Sequence, residues 1–348
     1  MTTILTAGDH FVLNSLVREH LHPVAPDATV RELTLPWPVE PFGPVAEVDE
    51  ASGTEDQLIE ALDGVEICVT QMAPLTGRIL KASPALRLFC VSRGGPVNAN
   101  LEAATRHGVA VTFAPGRNAD ATAEHTVALM LAAARRIPAV HADLRGGSWR
   151  GDYYRYEEVG PELAGGTVGI VGYGAIGSRV ARIVSGFGAR VLVADPFACA
   201  GDVAPYELVP LDELMRRATF VTVHARATAG NAGLLSRELI ASMPAGGVLV
   251  NCARGSLLDY DAVCDALADG ALFGAAFDVF PHEPVPAGSR LLTTPNLVLT
   301  PHLAGASRQT ALNAVAMVTD EVRRYLAGRP PRHCANPEVL ARSRAPEQ

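Results

Sequence analysis

The segment Gly172-Tyr173-Gly174-Ala175-Ile176-Gly177 has the G-x-G-x-x-G spacing of a nucleotide-binding turn, and Asp195 follows 18 positions after Gly177. Each part of that spacing has a physical task. Gly172 permits a tight turn, Gly174 lets backbone approach a pyrophosphate, and Gly177 lets a helix pack close to a strand. Ala175 and Ile176 open that helix, whose N–H groups and positive dipole end suit phosphate. The Asp195 carboxylate can accept both hydroxyls of a ribose and would repel a 2′-phosphate, and Pro196-Phe197-Ala198 supplies no cation for one, so NAD is expected over NADP. Downstream lie three further polar signatures: Val250-Asn251-Cys252-Ala253-Arg254-Gly255, Asp278-Val279-Phe280-Pro281-His282-Glu283-Pro284 and Thr300-Pro301-His302. They carry an arginine able to grip a carboxylate with two parallel bonds, a histidine whose ordinary pKa lies near neutrality, and a glutamate able to orient it.

These residues need elements to hold them. From Thr167 to His302, short buried strands each end in a polar residue or glycine: Val168–Val171 at Gly172, Arg190–Ala194 at Asp195, Phe220–Val223 at His224, Val248–Val250 at Asn251, Gly274–Phe277 at Asp278, and Leu297–Thr300 at Pro301-His302. Six such strands with helices between them predict a doubly wound parallel sheet, whose ligands lie beyond the carboxyl ends of the strands. Before it, Ile4–Thr6, Val30–Leu35, Ile67–Thr70, Leu86–Ser92 and Val109–Phe113 alternate with helical patterns, and predict a second α/β array. Pro36–Pro44 reads as a surface loop. Ala119–Arg136 reads as one long apolar helix, with His125 on it as a packing residue, and Gln309–Leu326 as an amphipathic helix able to fold back on the first array, followed by a Pro-rich tail.

Composition narrows the class. The 348 residues suggest about two domains at roughly 150 residues each. With 48% hydrophobic and 19% charged residues the chain is globular, and a net charge of −8 argues against a nucleic-acid surface. Lys81 is the only lysine, so the basic complement is almost all arginine, which makes an arginine uninformative by type alone. Six scattered cysteines show no C-x-x-C pair and no metal-ligand spacing, which leaves no metal site expected and favours a reduced compartment. No signal peptide or membrane span is read, so a cytoplasmic protein with no membrane partner is expected.

The order and spacing of the nucleotide turn and the three signatures resemble the D-isomer-specific 2-hydroxyacid dehydrogenases, the family of phosphoglycerate, glycerate and D-lactate dehydrogenases and, more distantly, formate and phosphite dehydrogenases. The resemblance spans roughly residues 60 to 330. It implies that Arg254 holds the substrate carboxylate, that His302 is the acid/base, and that Glu283 orients His302. Cofactor contacts would come from Thr122, His224, Ala225, Arg226, Cys252 and Ala253, with Asp278 against the nicotinamide carboxamide. Arg226 departs from the pattern, since the family often has proline there. Ser92-Arg93-Gly94-Gly95-Pro96-Val97-Asn98 looks like the family's Gly-rich substrate loop, so Arg93, Gly94, Gly95 and Asn118 are candidate substrate contacts.

The resemblance thus implies a flavodoxin-like substrate domain, residues 1–118 plus 304–336, a Rossmann NAD-binding domain, 119–303, and a tail, 337–348, with a cleft between the domains. The implied reaction is hydride transfer between nicotinamide and C2 of a D-2-hydroxy acid. Arg93, Arg117 and Arg155 suggest a substrate with a second anionic or strongly polar end, such as a phosphorylated or sugar-derived acid. A homodimer is expected, with the segment Trp149–Tyr156 in its interface. Two alternatives stay open: a relative oxidising a phosphonate or phosphorus oxyanion, and a non-catalytic NAD-sensing protein.

Overall fold

A computed structural model describes residues 2–37 and 42–342. The centre of the expected Pro36–Pro44 loop and the last six residues of the expected tail lie outside them. The chain divides into two compact units, Met1–Asn118 with Ser307–Gln348, and Ala119–Ala306.

In the first unit, β1 (Thr3–Gly8), β2 (Thr29–Thr34), β3 (Ile67–Thr70), β4 (Leu88–Val91) and β5 (Ala110–Thr112) form one sheet in the order β2-β1-β3-β4-β5, the flavodoxin-like arrangement. Every pairing is parallel. Strands β3, β4 and β5 are buried along their whole length, as expected of runs such as Ile67-Cys68-Val69 that have helices on both faces. Helix Asn14–Leu21 covers one face through Val17 and Leu21, and helix Glu55–Ala61 covers the other through Leu58. The order of the strands therefore reverses between β1 and β3.

Helix Arg308–Leu326 belongs to this unit. Ser307 caps it, its hydroxyl accepting from Thr310 N at 3.0 Å, and Val315, Val318 and Val322 enter the same core as Ile4 and Val17. At about 1.5–3 kcal/mol for each fully buried side chain, that stripe is enough to fix the helix. The start of the expected tail is structured too. Asn336, the last residue expected in the substrate domain, satisfies backbone groups at the edge of the sheet by bonding Val111 N and Val109 O, and also bonds Thr105, while Glu338–Arg342 at the start of the tail is helical.

The second unit has a seven-stranded sheet: β6 (Thr167–Val171), β7 (Arg190–Ala194), β8 (Glu207–Leu208), β9 (Phe220–Val223), β10 (Gly247–Asn251), β11 (Leu272–Phe277) and β12 (Leu297–Leu299), in the order β12-β11-β10-β9-β6-β7-β8. All pairs are again parallel, and the order reverses between β6 and β9, as in a Rossmann fold. The two-residue edge strand β8 is an element the apolar runs do not indicate. The long apolar helix ends at Ala134, and Arg136, in the left-handed region at φ 51°, starts a second helix, Ile137–Arg145. Among the described residues no helix is long and apolar enough to cross a membrane.

Candidate active site

Parallel register places the carboxyl ends of the second sheet side by side. Val171 pairs with Ala194 and Val223, and Asn251 with Val223 and Phe277, while Phe277 pairs with Leu299. The residues that follow, Gly172, Asp195, His224, Cys252 to Arg254, Asp278 and Thr300 to His302, are thus collected along one edge.

At the reversal point, Gly172 has φ 94°, and a Cβ there would come within 2.6 Å of Ala225 N, so only glycine fits. A Cβ on Gly177 would meet Gly172 O at 2.0 Å, which is the close packing of helix on turn that the spacing implies. Gly174 and Ala175 are exposed, and Ile176 precedes helix Gly177–Gly186. Arg179, which sequence reasoning passes over, reaches back to the turn, donating to Ala175 O at 2.7 Å and Asp120 Oδ1 at 2.5 Å. The Asp195 carboxylate accepts from Tyr173 N at 2.7 Å and Phe197 N at 2.9 Å, which fixes its orientation and leaves each oxygen further acceptor capacity.

A dinucleotide suits these residues. Besides the glycine turn, the buried Thr122 hydroxyl and His224 Nδ1 have no hydrogen-bond partner within the protein, polar atoms that a polar ligand could satisfy. Burial pushes the His224 imidazole down to about 3, so it stays neutral, and its Nε2 lies 3.1 Å from the Thr222 hydroxyl. Cys252 is a buried thiol held up to about 12 by burial, which rules it out as a nucleophile near neutral pH. Ala253 N donates to Asn251 Oδ1 at 2.9 Å, and Arg226 is exposed, with nothing in the structure explaining why arginine stands there.

The acid/base pair lies at the β11 and β12 ends. His302 Nδ1 is 2.6 Å from Glu283 Oε2, and Glu283 Oε1 accepts from Phe280 N at 2.9 Å. An ionised carboxylate only accepts, so Nδ1 carries the hydrogen and Nε2 of the neutral ring is an acceptor. The hydrogen bond to Glu283 raises the His302 pKa above its ordinary value, overcoming burial. Burial pushes Glu283 up, but the His302 and Phe280 bonds and the Arg254 charge together hold it below the usual carboxylate range. Arg254 is exposed on the turn after β10, close enough to act electrostatically on both partners, and Asn251 Nδ2 holds that turn by donating to Arg254 O at 3.0 Å.

His302 sits in the left-handed region at φ 50°, uncommon for a residue with a Cβ. Asp278, 1% exposed, holds this loop: Oδ1 accepts from Thr300 Oγ1 at 2.6 Å and Leu303 N at 2.9 Å, and Oδ2 from Ala304 N at 2.8 Å. His125 is not mere packing. Since the Thr300 hydroxyl donates to Asp278, His125 Nε2 donates to Thr300 Oγ1 at 3.1 Å, and so joins the same support.

In the first unit, Arg93 forms an ion pair with Glu50, Gly94 is exposed, Gly95 is half-buried, and Asn118 closes the segment that contains Arg117.

With this geometry in view, the comparison with known proteins is direct. The model of the D-isomer specific 2-hydroxyacid dehydrogenase, NAD binding domain, matches residues 127–304. The chain belongs to this family. A D-3-phosphoglycerate dehydrogenase of Mycobacterium bovis is 36% identical over 307 residues, covering 87% of this chain and 57% of its own length, so the chain spans little more than half of that relative. A glyoxylate reductase of Korarchaeum cryptofilum is 33% identical over 295 residues, 84% of this chain and 89% of its own. Among solved structures, the TT0316 protein of Thermus thermophilus superposes with a TM-score of 0.78 at 30% identity, covering 96% of this family member and 100% of itself.

Proposed function

We propose that the chain is an NAD-dependent oxidoreductase that moves a hydride between nicotinamide and C2 of a D-2-hydroxy acid or the matching 2-keto acid. The observation that carries the proposal is the His302–Glu283 pair, 2.6 Å apart on a strained and firmly supported loop, at the same sheet edge as the glycine turn. Thr122, the Gly172–Gly177 turn, Asp195, His224, Ala225, Cys252 and Ala253 would hold the dinucleotide, which when bound accepts or supplies the hydride.

The chain's own residues do the rest. In oxidation His302 Nε2 takes the C2 hydroxyl proton, and in reduction it returns that proton to the 2-oxygen. Glu283 keeps the hydrogen on Nδ1 and stabilises the imidazolium that forms. Arg254 binds the substrate carboxylate bidentately and stabilises the charge that develops at the 2-oxygen. Asp278 and His125 set the loop that aims His302. Arg93, Gly94, Gly95 and Asn118 contribute the substrate loop of the first unit.

The enzyme would act as a homodimer in the cytoplasm. Trp149, Tyr154 and Tyr156, at 86%, 92% and 89% exposure, give the segment before the second sheet an aromatic surface suited to a second copy, and all six cysteines are unbridged. The test is an absorbance assay of the purified protein with NADH against 2-keto acids and with NAD against D-2-hydroxy acids. NADH consumption with at least one 2-keto acid is expected; a protein that binds NADH but turns over none of them would be a nucleotide sensor instead.

A further inference from the structure

A glycine turn meets phosphate with backbone N–H groups, and an N–H can face a phosphate only if the carbonyl of the same trans peptide, which points the opposite way, is turned aside. In the second unit two successive carbonyls of the turn are tied down by the start of the helix that follows, Gly177–Gly186. Gly174 O accepts from Ser178 N at 3.1 Å and from Ser178 Oγ at 2.9 Å. Ala175 O accepts from Arg179 Nη1 at 2.7 Å. The N–H groups across those two peptides, on Ala175 and Ile176, donate to no group among the described residues. They are free donors at a helix start, directed away from Ser178 and Arg179.

Arg179 is itself held in place. Its Nε donates to Asp120 Oδ1 at 2.5 Å, and Asp120 lies in the first turn of helix Ala119–Ala134 of the same unit. A planar guanidinium with one N–H on a carboxylate and another on a carbonyl is fixed in both plane and direction. The pair is open to solvent, its side chains 34% and 61% exposed, so it adds little to folding. Packing of the helix on the sheet falls to Val180, Ala181 and Val184 instead. What the guanidinium does hold is the one carbonyl whose peptide carries the Ile176 N–H.

We propose that Arg179 is a positioning residue for the dinucleotide: it keeps the Ala175–Ile176 peptide turned with its N–H toward the pyrophosphate, and Asp120 acts only by holding Arg179. The inference rests on the dinucleotide assignment of the turn and not on the identity of the acid. Without Arg179 that peptide is free to rotate, and a carbonyl oxygen can replace the N–H in front of an anion. Losing one charge-assisted bond in this way costs about tenfold in affinity. A direct contact between Arg179 and phosphate makes the opposite prediction at Asp120. Its carboxylate would then compete with phosphate for the guanidinium and repel the ligand, so removing its charge would tighten binding.

The test is calorimetric titration of NADH, at one fixed salt concentration, into wild type, Arg179→Gln, Arg179→Lys, Asp120→Asn and the double variant of Arg179→Gln with Asp120→Asn. Arg182→Gln, which removes the same charge from an exposed position on the same helix, is the control. Arg179→Gln should raise Kd at least about fivefold and Arg182→Gln less than about twofold. Asp120→Asn should weaken binding on its own and add nothing to Arg179→Gln, and Arg179→Lys, which keeps the charge but not the fork, should fall between wild type and Arg179→Gln. Adenosine, which has the base and ribose but no phosphate, should displace NADH equally well from wild type and Arg179→Gln. Tighter NADH binding by Asp120→Asn would make Arg179 a direct phosphate contact and overturn the positioning role. Equal losses in Arg179→Gln and Arg182→Gln would reduce it to overall charge, and adenosine weakened as much as NADH would make Arg179 structural; either result overturns it. A wild type that binds no NADH would fell the dinucleotide assignment and this inference with it, whereas NADH binding left intact by Arg179→Gln overturns this inference alone.

Discussion

Gly255 follows Arg254, and a Cβ placed on it would lie 2.0 Å from Phe280 O and 2.2 Å from Phe280 C. Carbon does not approach backbone closer than about 3 Å, so Gly255→Ala must open this contact by about 1 Å. Both neighbours are backbone and cannot rotate away. Phe280 N is also what Glu283 Oε1 accepts from, at 2.9 Å, while Glu283 Oε2 holds His302 at 2.6 Å. A displacement of about 1 Å at Phe280 stretches one of those bonds out of hydrogen-bonding range or moves Arg254 away from the pair. Misplacement on that scale costs about 100-fold, so kcat/KM should fall by about two orders of magnitude, equivalent to ~2.7 kcal/mol at the transition state. Thermal stability should also drop, by about 1–3 kcal/mol. The assay is steady-state kinetics on the best substrate, NADH titration by fluorescence, and thermal melting, with Gly186→Ala, whose Cβ would meet nothing within 4 Å, as the control. NADH binding should fall much less than kcat/KM does, because the glycine turn and Asp195 are on other strands and only Cys252 and Ala253 share the Arg254 turn. A Gly255→Ala enzyme with wild-type kcat/KM would refute the coupling of the Arg254 turn to the Glu283 loop.

Glu283→Gln removes the charge that raises the His302 pKa, so the imidazolium is lost at lower pH. Reduction needs that imidazolium and oxidation needs the neutral ring; in pH–rate profiles the falling limb of reduction and the rising limb of oxidation should both move to lower pH, and unmoved limbs would dissociate Glu283 from His302. Asp195 should favour NAD over NADP at least about tenfold in kcat/KM, ~1.4 kcal/mol, and Asp195→Ala with Phe197→Arg should narrow or invert the ratio. Arg254→Lys loses the planar fork, so KM should rise and kcat fall together; if neither moves, the carboxylate is held elsewhere. His302→Ala should lower kcat by roughly two to four orders of magnitude while NADH still binds.

Much of the architecture is legible because parallel strands buried on both faces announce themselves as short apolar runs with a polar residue at the end. That is why Gly172, Asp195, Arg254, Asp278 and His302 can be read as neighbours from a one-dimensional pattern. What escapes depends on contacts that no local pattern encodes. His125 looks like one more residue of an apolar helix, and only the fold brings it to Thr300, 175 positions away. The family resemblance makes Asp278 a cofactor contact; its three hydrogen bonds to Thr300, Leu303 and Ala304 are a further task, visible only once β11 and β12 pair. Strand β8 has two residues and no apolar run to mark it, and the helix Ile137–Arg145 is hidden because no residue pattern signals the left-handed turn at Arg136. Arg93 looks like surplus positive charge in sequence, and its carboxylate partner, Glu50, lies 43 positions earlier.

The central claim, that a hydride passes between nicotinamide C4 and C2 of the acid, is tested most directly by isotope transfer. NADH carrying deuterium at the transferred C4 position is incubated with the purified protein and a 2-keto acid that it reduces, and the product is analysed by mass spectrometry. One deuterium, located at C2 of the 2-hydroxy acid and in the D configuration only, is the predicted result. A product without deuterium at C2, or with the label in both configurations, would contradict it.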